Sequence, residues 1–404
     1  MATKYKDSGI PWIGMIPKDW TVEPIGWNIS EVDNPNVGGV ETNALQFKAG
    51  TIISKSKGDS KYHPETLEAY NIVDKGVIML NGLNLSFDLI SQRVGLVQER
   101  GVITSAYLAI KPNHNIDSEY LTYLFKGYDS RKALHSMGKG LRQTLAYKEL
   151  KQYSVVYPPL PTQQRIADFL DRKCAEIDEL AALQETMIEE LKRYKQSLIT
   201  ETVTKGLNPN APMKDSGVEW IGKIPEGWEL TQLKRYAKVN NGKEIAVELP
   251  ADAPNAKPVY GSGGIFKYTN DILFDGEAVL FGRKGTLGKP LYVNGELWVV
   301  DTMYFLTFTP SIFPKYAFYQ LTAFDWTPFI TQTAIPSIVA SEVVANNVPV
   351  PPLSEQQQIA DFLDSKCAEI DELIAIKQQK IEALKEYKKS VIFEYVTGKK
   401  EVEI

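Results

Sequence analysis

The chain has 404 residues, 43% hydrophobic and 24% charged, with 45 basic against 50 acidic side chains for a formal net charge of -5. That length supports two or three domains with true cores. No apolar run approaches the roughly 18 residues of a membrane span, and the start MATKYKDSGIPW carries no hydrophobic signal core, so a cytoplasmic protein with no membrane contact is expected.

Taken in chain order, the first element is a box, KDSGIPWIGMIPKDW from Lys6, followed by a variable region over residues 21–157. That region alternates short β-branched runs such as GVIML and GVITSAYLAI with Gly, Asn and Pro, and carries one helical stretch, DSEYLTYLFKG, after Ile116. The pattern is one of strands, turns and a helix. From Pro158 comes PPLPTQQRIADFLDRKCAEIDELAALQETMIEELKRYKQSLITETVT, with no Gly or internal Pro beyond its first turn. A heptad spacing picks out Ile166, Leu170, Lys173, Ile177, Leu180, Gln184, Met187, Leu191, Tyr194 and Leu198, which predicts a long helix with an apolar seam.

The same order then repeats. KDSGVEWIGKIPEGW from Lys214 matches the first box at 10 of 15 positions, and Pro351 to Thr397 matches Pro158 to Thr204 at 31 of 47 positions without a gap. The second seam places Ile359, Leu363, Ile370, Leu384 and Tyr387 where the first has Ile166, Leu170, Ile177, Leu191 and Tyr194. Between the second box and second helix, residues 229–350 share no comparable similarity with residues 21–157. The chain divides in series into 1–157, 158–207, 208–350 and 351–404. Each helix needs a partner for its seam; the other copy is the obvious one, the alternative being two amphipathic helices packed separately on their own domains.

Charge follows the same division. Residues 158–205 hold 9 acidic and 7 basic side chains and residues 351–404 hold 11 and 8, so the helical pieces supply the whole net charge. The remainder balances at 30 against 30 and contains basic clusters at Lys55, Gly138–Gln143, Leu233–Lys238 and Gly282–Gly285. Only two cysteines are present, Cys174 and Cys367, at equivalent helix positions and without clustered histidines, so they read as core residues and not as a disulfide or metal site.

A search for catalytic chemistry finds little. The histidines His63, His114 and His135 all lie in the first variable region, which excludes a His-based site in each half. GRKGTLGKP lacks the spacing of a phosphate-binding loop, and YPPL and VPPL lack the Asn or Asp of an amino-methyltransferase tetrapeptide. The chain reads as a binding protein.

The repeated PPL, QQ.IADFLD.K.AEID.L and DSGI.WIG.IP..W motifs around unlike domains closely resemble the specificity subunits of type I restriction-modification systems. The resemblance covers nearly the whole chain. It implies an α+β protein of two mixed α/β target recognition domains joined by two long helices packed as an antiparallel coiled coil, with an internal pseudo-two-fold repeat. It also implies double-stranded DNA as ligand, with each domain reading one half of a bipartite target, and two methyltransferase subunits docked on the helices. S-adenosylmethionine, ATP and Mg belong to the methyltransferase and restriction/motor subunits, none to this chain. KPVYGSGGI and GRKGTLG match family habits in the second variable region; the first lacks both phrases.

Because Arg and Gln can read base edges and Lys and Ser hold phosphate, the expected DNA contacts are Lys139, Arg142 and Gln143 in one glycine-flanked loop, Arg283 and Lys284 in another, and Tyr260 and Ser262 beside glycines. The rival reading is a coiled-coil scaffold holding two protein-binding domains.

Overall fold

Each box forms a local hairpin of its own. In the first, Asp7 accepts a hydrogen bond from the Gly9 amide at 2.9 Å and the Ser8 hydroxyl one from the Ile10 amide at 3.1 Å. These side-chain turns close a hairpin of Tyr5–Asp7 against Met15–Pro17 and turn Ile13, Ile16 and Trp20 inward. The second box repeats it: Asp215 and Ser216 accept from the Gly217 and Val218 amides, Met213–Asp215 pairs with Lys223–Pro225, and Ile221, Ile224 and Trp228 are buried.

The computed structural model describes residues 4–55, 67–85, 92–138 and 144–402. Its contacts group the chain into two units, Met1–Gln184 with Gln379–Ile404, and Glu185–Gln378. The divisions fall inside the two long helices, a central one over Leu160–Lys205 and a C-terminal one over Leu353–Val396. Each variable region therefore shares a unit with half of each helix.

In the first unit, Thr21–Pro24 pairs with Ser154–Tyr157, so the variable region enters and leaves through one two-stranded ribbon. Beyond it lies an antiparallel sheet in the order Ile29–Glu31, Leu108–Pro112, Ile78–Leu80, Val94–Leu96. The helix Ser118–Ser130 buries Tyr120, Leu121, Leu124, Phe125 and Tyr128 in the unit's main core and is capped by Asp117, which accepts from the Tyr120 amide at 2.8 Å. Buried Gln163, in the first turns of the central helix, accepts from the Asp117 amide at 2.9 Å and donates to the Pro158 carbonyl at 2.9 Å. Tyr120 donates to the carbonyl of Val396, at the end of the C-terminal helix, at 3.1 Å, and Tyr123 to Asp171 at 2.6 Å.

The second unit repeats the glutamine and tyrosine bonds, though not the side-chain cap. Gln356 accepts from the Phe313 amide at 2.8 Å and donates to the Pro351 and Ser311 carbonyls at 2.9 and 3.1 Å. Tyr316, in the helix Pro314–Ala323, donates to the carbonyls of Val203 and Pro349, and Tyr319 donates to Asp364 at 2.7 Å. Burial first, and then the bonds to Asp171 and Asp364, hold the phenols of Tyr123 and Tyr319 far above the usual tyrosine range, so both stay donors. The ribbon is Glu229–Gln232 with Asn347–Val350, and the sheet order is Ala237–Asn241, Met303–Phe308, Ala278–Gly282, Leu291–Val293. Two variable regions without recognisable sequence similarity share one fold.

Helix ends are closed in the same way. Gly206, at φ +75°, stops the central helix against the Trp228 ring, and Gly398, at φ +68°, stops the C-terminal helix against Pro17 and Trp20. A Cβ at Gly398 would lie 2.4 Å from Pro17 Cδ. Lys399 then donates to the Ile13 carbonyl at 2.8 Å, fastening the end of the chain to the first box.

Within each unit the helix halves run antiparallel. Asp178 meets Lys388 at 2.6 Å and Phe169 stacks on Tyr395 with centroids 4.4 Å apart in the first unit; Lys195 meets Asp371 at 2.6 Å in the second. The two ion pairs occupy equivalent repeat positions. They are partly exposed and contribute little to stability, but both fix the same helix register. The heptad period holds, whereas the seam differs from the expected one at alternate steps. Ile166, Leu170, Ile177, Ile359, Leu363 and Ile370 are buried, and Leu191 and Leu384 are half-buried. Tyr194 is 58% exposed and Tyr387 49%, as are Leu180 and Leu373 at 49% and 47%. The inward positions beside them are Cys174, Ala181, Ile188 and Lys195, with Cys367, Ile374, Ile381 and Lys388 in the other copy. Small or amphipathic side chains suit a close helix pair, and a Lys can lay its stem along the seam and reach a partner carboxylate.

Gln356→Ala leaves the buried Pro351 carbonyl and the partly buried Phe313 amide without this partner, and the expected cost is about 2 kcal/mol. Urea unfolding should show it, with Gln163→Ala costing a similar amount. The exposed neighbour Gln357→Ala should stay within about 0.5 kcal/mol of the parent.

Candidate nucleic-acid interface

The second variable region presents three loops side by side. The first is the hairpin of Lys257–Gly261 with Gly264–Thr269, whose register slips between Val259 and Tyr260, so that Ile265 and Phe266 both lie opposite Tyr260. Such a bulge re-aims side chains; Ile265 is 49% and Phe266 54% exposed. Gly261 permits it, since a Cβ there would sit 3.1 Å from the Phe266 ring.

The second loop, Gly282–Gly288, carries Arg283 and Lys284, both exposed and without an acidic partner among the described residues. Arg283 lies over the Tyr304 ring at 6.0 Å. The loop is held by its backbone: the Arg283 amide donates to the Thr302 carbonyl at 2.8 Å, and the Ile338 amide donates to the Arg283 carbonyl at 3.0 Å. Ser262 ties the hairpin to this loop, accepting from the Thr286 amide at 3.1 Å. Its hydroxyl thus has a structural partner. Tyr260 is half-buried against the core cluster of Leu280, Leu297 and Val299, and burial raises its phenol above the usual range. Of the four positions expected in this domain, Arg283 and Lys284 are exposed, Ser262 ties the hairpin to their loop, and Tyr260 packs on the core.

The third loop, Thr331–Ser337, was not singled out by its sequence. It bridges to the second through Lys284 and Ser337. Thr331 and Ser337 bond through backbone and side chains at 2.9–3.0 Å, and Thr333 donates to the Ile335 carbonyl at 2.8 Å.

Lys139, Arg142 and Gln143 lie outside the described residues. The residues that frame them are described. The Leu145 amide donates to the Gly82 carbonyl at 2.9 Å, the counterpart of Ile338 and Arg283. The counterpart of Gly282–Gly288 in the first domain therefore begins at Gly82, and the counterpart of Ile338, which follows the third loop, is Leu145. Arg93 braces that stretch, donating to the carbonyls of Asn81, Leu83 and Asn84 at 2.7–3.2 Å. The counterpart of KPVYGSGGI is the hairpin of Leu45–Lys48 with Thr51–Ser54, with Lys48 exposed near its tip and Ala44 bridged in parallel to Val102 as Lys257–Gly261 is to Glu296–Val299. The first region lacks the second's phrases but not the places they occupy. Pairing order reveals that match; a sequence search cannot, because only backbone bonds are shared.

Among the described residues no cluster of His, Cys, Asp or Glu could hold a metal, and no helix is long and apolar enough to cross a membrane. The class defined by fold and site is a recognition scaffold, two domains of one fold presenting different loops from a repeated helical frame. Residues 97–193 and 225–386, more than half of the chain, match the family model for the type I restriction modification DNA specificity domain, and the chain belongs to that family. It is 26% identical to the type I restriction enzyme MjaVIII specificity subunit of Methanocaldococcus jannaschii over 74% of this chain and 75% of the relative. The MjaIX specificity subunit of the same organism is 24% identical over 99% and 97%. A chain from a structure of complex assembly and conformational transition in the type I R-M system superposes with a TM-score of 0.73 at 14% identity, covering 94% of this chain and 98% of that one. The HsdS subunit from Thermoanaerobacter tengcongensis gives 0.54 at 15% identity over 95% and 98%. These two share the fold.

Proposed function

We propose that this specificity subunit reads an asymmetric bipartite DNA sequence, one half-site per variable region, and that the paired helices dock two methyltransferase subunits. The observation that carries the reading is the contrast within the chain: one fold and one set of fastening bonds occur twice, while the exposed loops differ. In the second domain the exposed, unpaired Arg283 and Lys284 suit phosphate or guanine, and no acidic side chain neutralises them among the described residues.

Docking is supported by what the helices leave uncovered. Leu180, Leu183 and Tyr387 are exposed in the first unit, and their repeat equivalents Leu373, Ile376 and Tyr194 are exposed in the second. Two matching apolar trios suit two copies of one partner. The tyrosines expected in the seam are thus assigned to the outer face. Catalysis rests with the partners: S-adenosylmethionine is held by the methyltransferase subunits, and ATP and Mg by the restriction/motor subunits. This chain supplies recognition and placement.

Arg283→Ala should weaken specific binding by about 1–3 kcal/mol if its guanidinium is bidentate to guanine, and competition with mutated half-sites should show relaxed specificity on one side only. Arg142→Ala should do the same on the other side. Uniform loss across all sequences would mark phosphate contacts instead. Tyr387→Ala and Tyr194→Ala should each weaken one methyltransferase site about thirtyfold, the cost of truncating an interface anchor. Mass photometry should then show one bound methyltransferase in each single variant at concentrations that give two in the parent, and circular dichroism should be unchanged.

A further inference from the structure

Between the two outward cations and the neighbouring loops lies a feature that charge alone does not explain. Ile335, in Thr331–Ser337, is 65% exposed, among the most exposed large apolar side chains in the second domain. It is also held unusually firmly for a surface residue. Thr333 bonds to its carbonyl, the Ser337 amide donates to the Thr331 hydroxyl at 3.0 Å two residues beyond it, and Pro336 restricts its backbone. Its branched Cβ adds stiffness at χ1. A rigid apolar side chain standing in solvent loses nothing further on being ordered against a ligand, and gains whatever apolar surface it covers.

The surroundings define that ligand. The bridge between Lys284 and Ser337 places the loop alongside the exposed Arg283 and Lys284, while Ser262 holds the hairpin with its exposed Phe266 on the other side of those cations. Apolar and cationic groups on one edge fit a surface that offers both phosphate and a methyl group. On a DNA base pair the apolar feature facing the major groove is the C5 methyl of thymine.

We propose that Ile335 is a specificity residue of the second variable region and contacts a thymine methyl in its half-site. The inference rests on the DNA-reading function above. It does not require Ile335 to donate or accept a hydrogen bond, and it assigns the second half-site at least one A·T pair.

The test uses the assembled complex of this chain with its methyltransferase partner. Methylation mapping defines the target. Each thymine of the second half-site is then replaced singly by deoxyuridine, which removes the methyl and keeps every hydrogen-bonding group, and affinity is measured by competition. One replacement should weaken binding about fourfold, the worth of burying one methyl group. In Ile335→Ala the same replacement should have no effect, while replacements in the first half-site should act alike on parent and variant. A second half-site with no A·T pair, no uracil effect in the parent, or an undiminished effect in Ile335→Ala would each overturn the proposal. A complex that fails to distinguish its target from scrambled DNA would instead overturn the DNA-reading function itself.

Discussion

Each unit depends on a short helix whose first turn is fastened to both long ones. In the first, the helix Ser118–Ser130 meets the start of the central helix through Gln163 and the end of the C-terminal helix through Tyr120. In the second, Pro314–Ala323 meets the start of the C-terminal helix through Gln356 and the end of the central helix through Tyr316. The tyrosine bonds are buried and the glutamine bonds partly so, and leaving one unmade costs more than making it gains. The constraint is accordingly on geometry: a variable region that presents this helix without its tyrosine in place docks less firmly on the frame. Everything beyond the ribbon is free to change in sequence while that attachment is kept.

The two fastenings differ in how far the chain travels to make them. Tyr120 and Val396 are 276 residues apart, whereas Tyr316 and Val203 are 113 apart. The second unit is one continuous stretch, Glu185–Gln378, and the first is completed only when the last residues arrive. Closing the longer loop costs slightly more entropy. At the chain end Lys399 donates to the Ile13 carbonyl, which offsets part of that cost, whereas the exposed pair of Lys4 and Glu401 contributes little.

Much of this frame was legible in the sequence, because repetition is visible without knowing what is repeated. The duplicated boxes, the helices and the unlike regions between them were read directly, and the motif letters that carried the resemblance turn out to be fastening residues: Gln163 and Gln356, Asp171 and Asp364, the box aspartates and serines. The seam register was misread at Tyr194 and Tyr387 because a heptad search rewards large apolar residues, and the helices turn Cys174, Ala181 and their equivalents inward instead. The common fold of the two variable regions was implied by the resemblance alone and not by their own residues, since it resides in strand order and backbone bonds such as Leu145 to Gly82 and Ile338 to Arg283. In the candidate site charge singles out Arg283 and Lys284, which the structure leaves exposed, and Ser262, expected as a contact, also accepts from the Thr286 amide. An exposed isoleucine such as Ile335 has no sequence signature.

If the frame accepts any reader that carries the short helix and its tyrosine, the chain's two readers should be interchangeable. The direct measurement is a chimera in which residues 229–350 are replaced by a second copy of residues 21–157, cut at the paired ribbons, assembled with its methyltransferase and mapped by methylation sequencing. The expected target consists of two copies of the first half-site, with the second half-site lost. A chimera that assembles but still methylates the original asymmetric sequence would contradict the assignment of one half-site to each variable region.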